Sequence, residues 1–356
     1  MTLLVSVKRN TSLALLALFC MLGAAHLVTA QDPQFSQFYA APLYINPAMA
    51  GATGQARVGL NYRNQWPALE ANFTTMSVYG DYFIEDKKSG VGFLLVQDSE
   101  GLAGLRSTQL AAQYSYELEI TKELGFRPGF QVAGFMRDIN FSKLTFGDQF
   151  DPLTGTLNGQ PTGENLNTGE KTFFVDLSAG GVLFTRKAWL GIAAHHLNRP
   201  NQSIIGEEST LPIKYSVHGG FKFKMRSGVT GSGVYMRNTE RSISPAFQYR
   251  HQGQFDQMDL GVYATLEPMV VGLWYRGIPF KSVNGFINNE SIVLLLGFTQ
   301  IGAKDAINIG YSFDYTISRL GIGSGGAHEF SLAYTFPLRN PRKPPADKLV
   351  IPCPDF

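Results

Sequence analysis

From Ile307 to Tyr315 the chain alternates without a break, with Ile307, Ile309, Tyr311, Phe313 and Tyr315 on one side and Asn308, Gly310, Ser312 and Asp314 on the other. Only an extended strand separates two such sets, because successive strand side chains point to opposite faces and a helix would mix them. The pattern returns at His328–Phe336, Gln109–Leu118, Ala56–Tyr62, Ile213–Phe223 and Met258–Leu266. No comparable helical segment follows residue 30, and no stretch there holds the ~20 consecutive apolar residues of a spanning helix. The chain reads as all-β.

Alternation alone fits a secreted β-sandwich, apolar face inward, as well as a membrane barrel, apolar face outward. Three features point outward. Strands of ~9 to 13 residues suit tilted spanning of a bilayer, whereas the mean soluble strand has ~5 to 6. Aromatics such as Tyr311, Phe313, Tyr315, Tyr334 and Phe336 gather near strand ends, as an interfacial girdle requires. The opposite faces carry Gly, Ser, Thr, Asn and charge, which suits a wet or polar-filled lumen. Only 16% of residues are charged, against ~25% in ordinary soluble domains.

Fourteen strands are expected, at 55–63, 73–83, 90–98, 106–119, 124–138, 171–185, 188–196, 213–225, 242–251, 256–266, 269–278, 290–301, 305–315 and 327–336. Bacterial single-chain barrels close on even numbers, so residues 228–237 read as an insertion or hairpin extension. Connections after even strands include the tight Arg186-Lys187, Glu267-Pro268 and Gly302–Lys304. Those after odd strands include 139–170, 197–212, 279–289 and 316–326. Short turns on one side and long loops on the other place both chain ends in the periplasm, with 226–241 as an exceptionally long periplasmic connection.

Residues 1–30 read as an export signal. Lys8 and Arg9 precede an uncharged apolar run from Leu13 to Val28, and Val28-Thr29-Ala30 forms a small-residue cleavage site before Gln31. Cleavage leaves 28 basic against 28 acidic residues and a single cysteine, Cys353. A neutral mature chain offers no electrostatic footprint for nucleic acid, and one cysteine permits no intramolecular disulfide.

Arg57, Arg63, Glu117, Glu119, Arg127, Arg137, Lys214, Lys222, Asp259, Asp314 and Glu329 bring both signs of charge to the polar faces. Mixed charge of this kind fits an ion-pair network as well as an open pore. Enzymatic signals are weak. Gly321–Gly326 satisfies G-x-G-x-x-G but joins two strands, where a dinucleotide site needs a turn that opens a helix. His195 and His196 are adjacent, so on a strand they point apart and cannot share a metal. No enzyme activity, cofactor or metal is expected.

Gln31–Gly51, QDPQFSQFYAAPLYINPAMAG, has too many prolines for a strand and too many aromatics for a free linker. It should fold against the periplasmic mouth or into the lumen, as a plug or a docking element, over 31–54. Its candidate docking residues are Phe35, Phe38, Tyr39, Tyr44, Asn46 and Pro47, the first of them anchoring with Phe38 and Tyr39. The tail 337–356 carries six prolines and four Lys or Arg residues. It should hang extended below the last strand, where a periplasmic partner could bind Arg339, Arg342, Lys343 or the closing Ile351–Phe356.

The stretch Gln31–Gly51, together with ISPAFQYRHQGQFDQMDLGVYATLEPMVVGLWYRGIPF at 243–280, IGYSFDYTIS at 309–318 and GAHEFSLAYTF at 326–336, resembles the PorP/SprF family of type IX secretion and gliding-associated outer-membrane proteins. The resemblance spans several blocks from Gln31 to Phe336. It implies an outer-membrane barrel working with the type IX secretion apparatus, in contact with periplasmic ring and lipoprotein components and, for some members, with the C-terminal domains of exported adhesins. The rival reading is a passive or selective diffusion channel, whose luminal charge would tune selectivity.

Overall fold

The computed structural model describes residues 31–101, 104–141, 144–163, 171–204, 208–225, 228–230, 237–283, 286–301, 305–338 and 349–353. The fold set out here is that of residues 33–353. Fourteen antiparallel strands close into a barrel: β1 Ala56–Gln65, β2 Phe73–Ile84, β3 Ser89–Glu100, β4 Leu105–Tyr116, β5 Gly125–Asp138, β6 Lys171–Phe184, β7 Ala188–His195, β8 Lys214–Phe221, β9 Arg241–Gln252, β10 Phe255–Leu266, β11 Met269–Val283, β12 Phe286–Ile301, β13 Ala306–Thr316 and β14 Ala327–Phe336. Each strand pairs with its sequence neighbours. Closure is made by β14 against β1, in a register running from Ala56 opposite Phe336 to Gln65 opposite Ala327. A closed barrel leaves no edge with unpaired backbone groups, which a bilayer would penalise heavily.

Burial is inverted relative to a soluble protein. Along β13 and β14, Ile309, Phe330 and Leu332 are about half exposed while Asn308, Ser312, Asp314 and Glu329 are buried. The same holds on β12, where Leu294 and Leu296 face outward. An apolar outer face is stable only against lipid, so the alternation resolves as an outer-membrane barrel and not a sandwich.

Two strands outrun their expected ends. β11 and β12 continue to Val283 and from Phe286, so 279–289 is a protruding hairpin and not a long loop; its register shifts between Arg276 and Gly277 and again between Ile278 and Ser282. These irregularities interrupt the period of two and hide the strand from a pattern reading. On the short-turn side, the β8–β9 connection holds an antiparallel ribbon, Gly228–Thr230 with Arg237–Thr239, consistent with a hairpin extension. The turn Gly302–Lys304 lies outside the described residues.

On the long-loop side, residues 148–163 are tied together by their own polar contacts. Between β5 and β6, Asp148 accepts the Gly163 amide at 2.6 Å and the Thr162 hydroxyl at 2.9 Å, while Asn158 Nδ2 donates to the Asp148 carbonyl at 3.0 Å. The Gly163 amide, with Thr162 in support, holds the Asp148 carboxyl below its ordinary value of 3.8.

Candidate functional site in the lumen

The N-terminal segment lies inside the barrel. Phe35, Phe38, Tyr39, Leu43, Ile45, Asn46, Ala48 and Met49 are all buried. Prolines and short helical turns shape it: Phe38–Ala40, Pro42–Ile45 with Pro42 in the first turn, and Pro47–Met49. None of these is long enough to be stable in water, so their geometry is held by the surrounding wall.

Its upper end is fixed by charge. The Ser36 and Gln37 amides donate to Glu329 Oε2 and Oε1 at 2.6 and 3.0 Å. Ser36 Oγ donates to Asp314 Oδ2 at 2.6 Å and accepts from Arg63 Nη1 at 2.6 Å and Arg276 Nη2 at 2.9 Å. Arg63 and Arg276 also reach Asp314 Oδ2 at 2.9 and 2.8 Å, and Arg276 Nε reaches Asp259 Oδ1 at 2.7 Å. Arg250 adds a contact to Asp259 at 3.1 Å and another to Gln34 Oε1 at 2.9 Å. Each of these charges is paired and also hydrogen-bonded, the condition under which buried ions are tolerated.

Lower down, Asn46 is the pivot. Its Oδ1 accepts from the Ala48 amide at 3.0 Å, capping the last helical turn, and its Nδ2 donates to the Ile192 carbonyl at 3.0 Å. Tyr39 accepts the Trp189 indole N–H at 2.8 Å, and Phe38 packs edge-on against Trp274 with ring centroids 4.7 Å apart. Below these, Gly51 donates to Asp81 Oδ2 at 2.7 Å, and Ser115 Oγ donates to the Ala50 carbonyl at 2.7 Å. The segment therefore runs from the long-loop half of the lumen, near Asp314 and Glu329, to the turn side, where it enters β1. Two wall glycines permit this closeness: a Cβ on Gly90 would lie 2.0 Å from the Ala50 carbonyl oxygen, and one on Gly129 2.3 Å from the Ala48 nitrogen.

Of the expected docking residues, Phe35, Phe38, Tyr39, Asn46 and Pro47 are buried in the lumen and Tyr44 is partly buried beneath the Lys214 ammonium, 4.8 Å from its ring centroid. Arg339, Arg342 and Lys343 lie outside the described residues. Arg57, Arg63, Arg127, Lys214, Glu117, Asp259, Asp314 and Glu329 face inward as expected. Glu119 does not: it pairs with Lys88 at 3.2 Å on the surface, because the chain breaks from β4 before it. Lys222, likewise past the end of β8, pairs with Glu240 at the turn side.

The expectation that His195 and His196 point apart fails. His196 leaves the strand with φ of 60°, which turns it inward, so both rings are buried. They serve different partners: His196 Nδ1 meets Asp176 at 2.8 Å, and His195 meets Ser178 Oγ at 3.2 Å. Ser178 Oγ in turn donates to Asp176 Oδ2 at 3.2 Å, so the four side chains form one buried polar cluster on the wall.

The tail also departs from expectation. Instead of hanging below the barrel, Leu349, Ile351 and Cys353 are buried in one cluster with Tyr39, Trp189, Tyr263, Val270 and Trp274. Residues that the sequence pattern did not single out therefore carry much of the site: Ser36 and Gln37, Arg250 and Arg276, and Leu349, while Ile351 and Cys353, in the closing stretch expected to meet a partner, are seated here instead. The first two were signalled only by polar residues set among aromatics in QFSQF.

These features define a class: an outer-membrane barrel whose lumen is filled by its own N-terminal segment. A family model described as type IX secretion system membrane protein PorP/SprF matches residues 27–334, and the chain belongs to that family. No curated protein matches it. Among solved structures, it is similar to the Ralstonia pickettii toluene transporter TbuX at 11% identity, covering 84% of this chain and 94% of that one, with a TM-score of 0.49. A Pseudomonas aeruginosa FadL homologue is similar at 12% identity over 83% and 93%, TM-score 0.44. The P. putida toluene transporter TodX is similar at 10% identity over 83% and 93%, TM-score 0.43. Family and barrel together define an outer-membrane barrel component of type IX secretion.

Proposed function

We propose that this barrel serves type IX secretion as a docking platform and not as a conduit, holding periplasmic ring or lipoprotein components or the C-terminal domains of exported adhesins, in secretion or in gliding. The observation that carries the reading is the pinned segment 33–52: a lumen crossed by a chain tied to the wall through Ser36, Asn46 and Gly51 is poorly suited to free diffusion. In this reading Phe35, Phe38, Tyr39, Tyr44, Asn46 and Pro47 act by seating the plug. Arg339, Arg342 and Lys343 lie in the linker between β14 and the buried tail, where basic side chains would meet the machinery. β1 begins and β14 ends on the side of the short turns, which supports a periplasmic C-terminal tail, while the luminal segment starts in the long-loop half near Glu329.

The test is a mild-detergent pull-down from outer membranes through a tag in the 139–170 loop, read by mass spectrometry beside single-channel conductance. Recovery of a ring lipoprotein or adhesin C-terminal domain with low conductance supports docking. The barrel alone, conducting strongly, would turn the reading to a diffusion channel.

A further inference from the structure

The two chain ends are held in the lumen by different physics. Residues 33–52 are tied by directional bonds, several of them charge-assisted, to at least β1, β2, β13 and β14. Leu349, Val350, Ile351 and Pro352 make no hydrogen bond to any described residue. Their hold is side-chain burial: Leu349 is 6% exposed, Ile351 5% and Cys353 8%, while Val350 between them faces out at 46%. Backbone groups of a buried peptide that find no partner weaken its seat, whereas apolar contact is non-directional and tolerant of exchange.

The seat is at the turn side. Trp189 and Val270, each the second residue of a strand that follows a tight turn, belong to the cluster that receives the tail, with Tyr39 of the plug and Tyr263 of β10 completing it. The pinned plug thus supplies part of a fixed aromatic floor on which a separate peptide rests. The segment joining β14 to the tail holds Pro337, Pro341, Pro344 and Pro345, a composition that cannot extend the sheet and costs little entropy to keep extended.

We propose that the turn-side mouth is an acceptor site for an extended apolar peptide, filled in cis by the chain's own residues 349–353 and open to a partner's peptide of the same chemistry once the tail leaves. The proposal rests on the seated tail and is independent of the secretion reading. A tethered tail has an effective concentration of about millimolar, so a free peptide of micromolar affinity meets a wild-type site that is largely occupied.

The experiment uses the full chain in detergent micelles, a fluorescent peptide spanning 346–353 with serine in place of Cys353, and the double variant Leu349→Asp/Ile351→Asp to eject the tail. The variant should bind the peptide about 100-fold more tightly than the wild type. Cys353 should react with a maleimide at least ~10-fold faster in the variant, as buried thiols are protected. Saturating peptide should accelerate Cys353 labelling in the wild type, a readout that needs no variant to fold. Equal labelling rates in both proteins, an ejected-tail variant that does not bind peptide, or wild-type labelling unmoved by saturating peptide would each overturn the proposal.

Discussion

The Ser36 amide donates to Glu329 Oε2 at 2.6 Å across 293 residues of sequence, joining the first turn of the luminal segment to the last strand of the barrel. Glu329 accepts from Gln37 as well and stands 3.4 Å from Arg63, so it links the plug to the ion cluster.

Replacing Asp314 should cost more than replacing Glu329. Asp314 Oδ2 serves Arg63, Arg276 and Ser36 at once, and Asp314→Asn leaves two buried guanidinium groups short of charge, a change worth about 3–5 kcal/mol. Glu329→Gln keeps one acceptor for the backbone amides, and about 1–3 kcal/mol is expected. Urea unfolding in detergent, followed by the heat-modifiable gel shift of folded barrels, measures both; equal costs would mean that the cluster is not organised around Asp314.

A side chain at Gly129 should unseat the plug while sparing the sheet. A Cβ there would meet the Ala48 backbone, which cannot yield as a flexible side chain could. The strand itself tolerates valine, since β-branched residues suit extended backbone. Gly129→Val should therefore fold as a barrel yet gain conductance and expose residues 33–46 to protease. A variant that folds and remains closed would show that the segment can shift without leaving.

Most of the barrel was legible because lipid and lumen impose opposite polarities on alternate residues. Ile309 outward and Asn308 inward need no tertiary knowledge. The pattern failed where geometry broke the period: at the bulged hairpin after Arg276 and at His196, whose positive φ turns an expected outward ring inward. That the Gln31–Gly51 stretch must dock was readable from prolines among aromatics. Its partners were not, because Glu329, Asp314 and Arg276 meet Ser36 only through barrel closure. The burial of the tail was hidden for the same reason: the closing Ile351–Phe356 reads as a segment for a partner, but the seat of Leu349, Ile351 and Cys353 is assembled from distant strands.

The loop between β5 and β6 should loosen in acid. Asp148 is held below its ordinary value of 3.8 by the Gly163 amide. A carboxylate lowered in the folded state contributes order that is fully present above its unfolded pKa and is lost as pH falls through the folded one. Amide protection factors at 147–163, referenced to intrinsic exchange at each pH, should therefore be constant from neutral pH to the ordinary carboxylate value and fall below it. Asp148→Asn should show the loosened loop at neutral pH, and a variant with unchanged protection would assign the loop's order to its backbone bonds alone.

The outward face can be tested at one residue. Leu294 and Leu295 are neighbours on β12, the first 55% exposed and the second 1%. Leu294→Arg places a charge against lipid, and near the bilayer midplane that costs about 2–4 kcal/mol. Transfer from detergent micelles to a bilayer should enlarge the cost. A substitution that is harmless in both would mean that this part of β12 faces water.

Deleting residues 33–46 separates the plug from the barrel. The strands pair only with one another, and without the segment Arg63, Arg250 and Arg276 still face Asp259, Asp314 and Glu329, so no charge is left alone when water enters. The deletion variant should reach the outer membrane and fold, shown by the heat-modifiable gel shift. Its conductance should rise well above the wild-type level, because the chain that crosses the lumen is gone. Secretion of the type IX cargo should fail, since the deletion removes Phe35, Phe38, Tyr39, Tyr44 and Asn46, the plug residues proposed to serve docking. Normal secretion by a folded, conducting deletion variant would remove the plug from the docking function and leave the loops and the linker after β14 to carry it.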